Sequence, residues 1–566
     1  MNVIYLVVDS LISDEVNKKI GNILKCQFIS DLSKKNYFAS NMYSVGCPTE
    51  FSYPGLTSST YPLERGGYFS GVSSRGKVIS EVFSDNGYNT VLFQEDFWLS
   101  SSKYARGYDT VYNFYDIERF FHDYDDFIPY YQGLLESKTH TFEYISKKIN
   151  TYLSVFIDDM RSYCEKAIID KNSIYYSSNY NYQEIISLLS RVKIEIDKNY
   201  IGFYQLMLIK KIDPFLKLRV LLKSFPVLNN DKNTLKLYFV YFKMLFISLI
   251  GLIRGKNSFF SIKSIISKLL NKRKRLFPSF DFLNSRIENI INNGKDNFIW
   301  MHVSDIHELS FYSHDNSKNI RNELFLINLF LDKVLKNIQK HSGNILYDVS
   351  LKYTDLMVSN LFSLLKKNDC SDTVVVLTSD HGTYQADNNY RKNKHIANDF
   401  YEELYRIPAI FIMPNDIGND CESLTSSIDI APTLLSLLNI KIPDCFLGKN
   451  IFFDNKGYEY VFMEHAGPGP GDLDSKKIRI AIRNDSFKLT GSSFLEKPLH
   501  IEYEELYDLN LDPYELTNII NNFFQSKDSV NRLKALLKDR LERIYKQYTE
   551  DNERRSEERR VGKECR

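Results

Sequence analysis

Three places in the chain put metal-ligating or nucleophilic groups where chemistry would need them. Asp9 follows directly on the apolar run 2–8 (NVIYLVV), and Asp380 with His381 follows the run 373–377. Two carboxylates and an imidazole make a ligand set for a divalent cation; Mn²⁺, Zn²⁺ or Mg²⁺ suits it better than Ca²⁺, which prefers oxygen alone. Taken singly, each Asp has a plainer role as the cap of a following helix. Their common position at the ends of apolar runs favours the metal. The third place is Gly46-Cys47-Pro48-Thr49-Glu50-Phe51-Ser52-Tyr53-Pro54-Gly55-Leu56-Thr57, which leads on to Tyr61-Pro62. A hydroxyl at the entrance of a helix, among outward-pointing backbone N–H groups, suits attack on an anionic ester. Capping that helix is the commoner use of a residue such as Thr49 or Ser52.

The elements that must hold these groups are legible as apolar runs. Runs 3–8, 297–301, 373–377 and 407–413 are rich in Val, Ile and Phe, as strands buried on both faces are. Helical spacing of Leu and Phe over 322–340 and 350–367 separates them. Strands alternating with helices predict an α/β fold, a three-layer sandwich around a mostly parallel central sheet. In such sheets functional groups gather at the carboxyl ends of strands, where Asp9, His302 and Asp380 fall.

Residues 116–290 break this alternation and read as a helical insertion, or lid, between the two halves of the catalytic domain, 1–115 and 291–440. Within it, 237–253 is apolar apart from Lys243 and Ser248. That is short of the roughly 20 clean apolar residues a membrane-spanning helix needs, so a buried helix is expected. The next stretch, 254–275, carries eight Lys/Arg and no acid. Its plain reading is a solvated helix packed by one face. The sharper one is a basic amphipathic surface making peripheral contact with anionic lipid or a polyanionic glycan. Beyond 440, a β-hairpin over 478–483 and 487–490 and a helix over 529–547 predict a small α+β subdomain, 441–554. The final twelve residues, 555–566 (RSEERRVGKECR), resemble the translation of a sequencing-adapter oligonucleotide and are set aside from the fold reading.

Composition removes several classes of function. With 72 Lys+Arg against 71 Asp+Glu, the chain is not a generally basic nucleic-acid binder. A hydrophobic share of 43% describes a globular chain with a large core. The start has no basic region and no small-residue cleavage site, and the seven Cys include no CxxC pair. The expectation is a cytoplasmic protein with reduced thiols, at most peripheral to a membrane.

Several motifs, in order, resemble the sulfatase family of the alkaline-phosphatase-like superfamily. VVDSL resembles its first strand and metal aspartate. CPTEFSYPGLTSSTYPLERGG resembles its nucleophile segment, and NGYNTVLF…YARGYD its next strand–loop unit. WMHVSDIH matches the strand that ends in a substrate or metal histidine. Asp355 on its helix, followed by VVVLTSDHG, matches the second metal pair. KHIANDFYEELYRIPAIF resembles the segment carrying another site histidine, while SIDIAPTLLSLLNI and EELYDLNLDPYELTNI resemble late signatures.

The resemblance implies Asp9, Asp380 and His381 as metal ligands, with the nucleophile's oxygen as a further one. Counting back from Tyr61-Pro62 puts Thr49 at the nucleophile position, with Ser52 and Leu56 in register. Cys47 is the rival, because true sulfatases convert a Cys or Ser to formylglycine within Cys-x-Pro-x-Arg. Here Thr49 stands two residues after Cys47 and Phe51 four after, and neither matches. Family members with an unmodified Thr are typically phosphotransferases or phosphodiesterases. His302, His307 and His395, with Asp305, are expected to touch the substrate's anionic oxygens or to assist the leaving group. A second metal held by Asp305, His307 and His395 is the alternative. Glu464 and His465, before the GPGPGD loop, are expected in the wall of the substrate pocket. The implied activity is metal-dependent hydrolysis or transfer at a sulfate or phosphate ester, including a phosphodiester, on a glycan or lipid-linked glycan. Two other readings are a true sulfuric-ester hydrolase using Cys47 and a non-catalytic binding protein in polysaccharide assembly.

Overall fold

The computed structural model describes residues 1–20, 23–64, 71–72, 75–94, 104–113, 135, 141–169, 181–209, 287–304, 306, 345–383, 400–414, 420–453, 457–466, 477–495, 499–521 and 527–564. Eleven strands precede residue 430 in these ranges: β1 (Asn2–Val8), β2 (Lys19–Ile20), β3 (Ile23–Leu24), β4 (Tyr37–Tyr43), β5 (Asn89–Gln94), β6 (Thr110–Asn113), β7 (Asn297–Val303), β8 (Val374–Thr378), β9 (Arg406–Ile412), β10 (Asp420–Cys421) and β11 (Thr425–Ser426). Apart from the small β2–β3 hairpin they form a nine-stranded sheet in the order β10-β4-β9-β8-β1-β7-β5-β6, with β11 also paired to β4. β9 runs antiparallel to both of its neighbours. Every other pairing in this sheet is parallel, as expected of a mostly parallel α/β sheet.

The register explains why the site can exist. β1 lies between β7 and β8, with Val7 opposite His302 on one side and Thr378 on the other. Asp9, His302 and Asp380 therefore leave the sheet at the same edge. All of β1, β7 and β8 is buried, which is why their sequences are continuous apolar runs and do not alternate. Tyr5 stacks on Trp300 at 4.3 Å between ring centres, and Tyr53 of the Thr49–Ser58 helix packs on the same indole at 5.5 Å. The helix that carries Thr49 is thus seated on the sheet's central aromatic cluster.

The chain divides into two compact units, Met1–Phe114 with Ser279–Phe311 and Gln339–Arg566, and Tyr115–Pro278 with Tyr312–Ile338. In the second, the described elements are helices: Phe142–Ile169, Tyr182–Lys198 and Tyr200–Tyr204, the last running into a π-helical turn, Gln205–Ile209. Ile145, Ile149, Leu153, Ile157 and Cys164 are buried at helical spacing along the first helix. The apolar stretch 237–253, the basic stretch 254–275 and the periodic stretch 322–340 lie outside the described residues. No described helix is long and apolar enough to cross a membrane.

The last part of the first unit is a four-stranded antiparallel sheet, β12 (Val461–Ala466), β13 (Lys477–Arg483), β14 (Phe487–Phe494) and β15 (Ile501–Asp508). The β13–β14 turn closes where the Asn484 side chain accepts from the backbone N–H groups of Ser486 and Phe487. The closing helix, Lys527–Glu564, covers this sheet with Val530, Leu533, Leu537, Leu541 and Ile544. It begins before and ends beyond the stretch 529–547 that periodicity marks.

A buried ion network joins this sheet to the segment ahead of β9. Lys488 donates to the Phe400 carbonyl at 2.6 Å, lies 3.2 Å from Glu402 and pairs with Glu515. Arg483 also pairs with Glu402 at 3.2 Å while covering the Tyr43 ring. Two cations thus balance two anions, and removing one partner strands a buried charge. Lys488→Met is expected to destabilise the fold by about 3–5 kcal/mol in urea unfolding. A loss below about 1 kcal/mol would mean the network contributes no more than a surface pair does.

Candidate active site

Asp9 follows β1 and is held by two local contacts: its backbone N–H donates to Val303 of β7 at 2.9 Å, and Ser10 Oγ donates to Asp9 Oδ1 at 2.9 Å. Asp380 follows β8, and its Oδ1 accepts from the backbone N–H of His381 at 2.8 Å. Next, Gly382 passes so close to the chain ahead of β9 that a Cβ on it would lie 2.0 Å from the Glu403 carbonyl. Only glycine fits there. The Gly382 N–H donates to Leu404, fixing the turn that aims His381. His381 Nδ1 lies 2.7 Å from its neighbour's carbonyl, so Nδ1 carries the proton and Nε2 faces the carboxylates.

Around that nitrogen the donor atoms converge. His381 Nε2 is 3.4 Å from Asp380 Oδ2 and 3.8 Å from Asp9 Oδ1. His302 Nε2 is 3.8 Å from both Asp9 Oδ2 and Asp380 Oδ2. Thr49 Oγ1 donates to Asp380 Oδ2 at 2.7 Å and lies 3.4 Å from His381 Nε2. All five side chains are buried. The Thr49 hydroxyl does not cap its own helix, and Ser52 Oγ turns back to the Thr49 carbonyl at 2.9 Å. Geometry therefore separates the two hydroxyls: Thr49 faces the carboxylates and Ser52 does not.

Burial opposes the ionised form of Asp380, yet His381, His302 and the Thr49 hydroxyl together hold its carboxyl well below the usual range. Burial likewise opposes a charged His381, but Asp380, the Cys47 thiol and Asp9 push its imidazole well above the usual value. Among the described residues no Lys or Arg pairs with either carboxylate. One ligand atom from each of Asp9, His302 and Asp380 lies within 4.8 Å of the others. Two carboxylates, two imidazoles and a hydroxyl converging in one buried cluster fit a divalent cation.

The resemblance gives His302 as a substrate or metal histidine, and the structure places it in the same cluster as Asp9 and Asp380. The sign of this in the sequence is its place near the end of a strand parallel to β1. Asp305, His307 and His395 lie outside the described residues. Glu464 and His465 require a correction. Glu464 is fully buried, and its carboxylate is taken up by Arg540 and the Leu63 N–H. His465 is equally buried and stacks on Phe51 at 4.8 Å, and burial with nearby Arg479 lowers its pKa to about 3. Among the described residues, both side chains are packed in the interior and not at an open surface. Asp355 is also reassigned: its carboxylate accepts from the backbone N–H groups of Phe28 and Ile29, capping the Gln27–Lys35 helix.

The sequence profile of the Sulfatase family matches residues 1–187 and 265–440, and a profile described as N-sulphoglucosamine sulphohydrolase, C-terminal, matches 397–547. The chain is 26% identical over 216 residues to N-acetylglucosamine-6-O-sulfatase of Bacteroides thetaiotaomicron, a match covering 36% of each protein. It is 26% identical over 235 residues to arylsulfatase K of Rattus norvegicus, covering 40% of this chain and 38% of that one. These matches thus span little more than a third of each curated relative. The phosphonate monoester hydrolase of Agrobacterium radiobacter has the same fold, with a TM-score of 0.52 over 96% of both chains at 14% identity. With the family profile covering well over half of its length, and the strand-end cluster in place, the chain belongs to the sulfatase family.

Proposed function

We propose that this protein is a metal-dependent hydrolase or transferase that acts on a phosphate or sulfate ester, foremost a phosphodiester, through Thr49. The observation that carries the reading is the Thr49 hydroxyl, buried and 2.7 Å from Asp380 in the cation-suited cluster. A bound divalent cation would neutralise the ester's oxygens and lower the pKa of the attacking hydroxyl. The residues that would hold it are Asp9, Asp380, His302, His381 and Thr49. Asp380 Oδ2 orients the Thr49 oxygen by accepting its hydrogen bond, and the hydroxyl's proton passes to solvent as that oxygen bonds to phosphorus or sulfur. The ester's alkoxide leaves with a proton from solvent or a nearby acid, giving an ester on Thr49. Water or an acceptor hydroxyl then displaces Thr49, losing its proton to solvent as the released Thr49 oxygen takes one up.

Cys47 supports the phosphate side of this reading, since Thr49 and Phe51 stand where the formylglycine motif needs Pro and Arg. The name of one relative, N-acetylglucosamine-6-O-sulfatase, supports a sugar or glycan as the substrate class, of which a lipid-linked glycan is the narrower form of the proposal. The test is turnover of bis(p-nitrophenyl) phosphate and p-nitrophenyl sulfate by purified protein with and without added Mn²⁺. Phosphodiester turnover that depends on the metal is expected. Turnover of the sulfate alone, with Cys47 found as an aldehyde by mass spectrometry, would overturn it in favour of an ordinary sulfatase.

A cytoplasmic location with peripheral membrane contact through 254–275 belongs to the same proposal. Each Lys or Arg near an anionic surface contributes about 1 kcal/mol, screened as salt rises. Neutral residues in place of Lys272, Arg273, Lys274 and Arg275 are expected to weaken sedimentation with anionic vesicles at low salt. Binding indifferent to those four changes would end the idea.

A further inference from the structure

The Thr49–Ser58 helix is held between two cores. Tyr53 and Leu56 join the cluster on the main sheet, whereas Phe51 joins that of the C-terminal sheet and its covering helix, together with Leu63. Thr49 therefore owes its position to both layers.

The contact to the C-terminal layer is built from charge. Arg540, on the closing helix, donates through Nε to Glu464 Oε1 at 2.6 Å and through Nη1 to Glu64 Oε1 at 2.8 Å. Its guanidinium also covers the Tyr61 ring at 4.3 Å. Glu464 reaches both flanks of the Thr49 segment. Its backbone N–H donates to Val45 at 2.8 Å, two residues ahead of Cys47, and its Oε2 accepts from the Leu63 N–H at 3.1 Å. Arg540, Glu64 and Glu464 are all buried. At the exit flank Arg75 adds bonds to Thr60 Oγ1 and to the carbonyls of Tyr61, Pro62 and Glu64.

We propose that Arg540 is a positioning residue for catalysis: by engaging Glu464 and Glu64 together it fixes the entry and the exit of the segment that presents Thr49 to the Asp9–Asp380 cluster. The proposal rests on Thr49 being the nucleophile. A guanidinium suits the task because its planar fork reaches two carboxylates at once, which an ammonium on a flexible stem does less well. A shift of the helix by about 1 Å can cost on the order of a hundredfold in rate without changing how substrate binds.

The test compares Arg540→Met, Arg540→Lys, the pair Glu64→Gln/Arg540→Met and a control, Leu533→Ala, which truncates the same core away from the clamp. Kinetics use bis(p-nitrophenyl) phosphate, and amide hydrogen exchange is followed over 45–64 and over β1 and β8. Arg540→Met is expected to lower kcat by about ten- to a hundredfold with KM nearly constant, and Arg540→Lys to recover part of it. Exchange over 45–64 should quicken while β1 and β8 stay protected. Leu533→Ala should lower Tm but leave kcat and exchange over 45–64 near wild type. If Arg540→Met does not fold, the paired variant, which removes opposed charges together, is read in its place. A folded clamp variant with unaltered exchange over 45–64 overturns the proposal whatever its activity. So does equal kcat loss in Leu533→Ala at equal Tm loss. Full activity in Thr49→Ala would instead refute the nucleophile, an outcome the exchange data do not share.

Discussion

Thr49→Ala is expected to abolish phosphodiester turnover, by at least about 10⁴-fold, while leaving the fold and Tm close to wild type. The hydroxyl donates to Asp380 and does not cap its helix, so its removal takes away the attacking atom with little loss of helix stability. Cys47→Ala is expected to be largely tolerated: Cys47 is a small buried thiol outside the formylglycine motif. Steady-state kinetics on both variants, with thermal unfolding as control, decide it. An active Thr49→Ala beside a dead Cys47→Ala would reverse the assignment of the two residues.

The second large effect concerns the cation. Exhaustive chelation is expected to bring turnover to background, and Mn²⁺, Zn²⁺ or Mg²⁺ to restore it. Asp380→Asn should bind no metal, because Asp380 is the group on which Thr49, His302 and His381 all converge. Elemental analysis of wild type should find about one divalent ion per chain, from the donor count around that point. An enzyme fully active after chelation, with no ion detected, would rule the metal out.

Much of the sheet was legible because β1, β7, β8 and β9 are buried strands, and burial on both faces leaves an unbroken apolar signature in Val, Ile and Phe. β4 was harder to see. YFASNMY mixes Ser and Asn with apolar residues, and three of its seven positions are only partly buried. The direction of β9 has no local sign either, since orientation follows from the connection and not from composition. In the candidate site, Asp9, Asp380 and Thr49 could be found because strand ends and a motif register mark them. The place of His302 among them depends on strand register between residues about 300 positions apart, which a linear reading does not display. Glu464 and Asp355 show the reverse difficulty. A lone acid beside a Gly/Pro loop or on a helix looks available for chemistry until its partner is known. For Glu464 that partner is Arg540, and for Asp355 it is the start of a helix 326 residues away.

The Arg540–Glu64 contact joins groups 476 positions apart along the chain. At translation rates of roughly 5–20 residues per second, Glu64 is added to the chain roughly 24–95 s before its guanidinium partner. Throughout that interval Glu64 and, once made, Glu464 carry charges destined for burial but with no cation to meet. The proposed clamp on the segment presenting Thr49 can close only once residue 540 has been made. A nascent chain thus carries the Thr49 segment without this clamp for the 476 residues that separate Glu64 from Arg540, so the proposed positioning is added to a segment that Arg75 and the main sheet already hold.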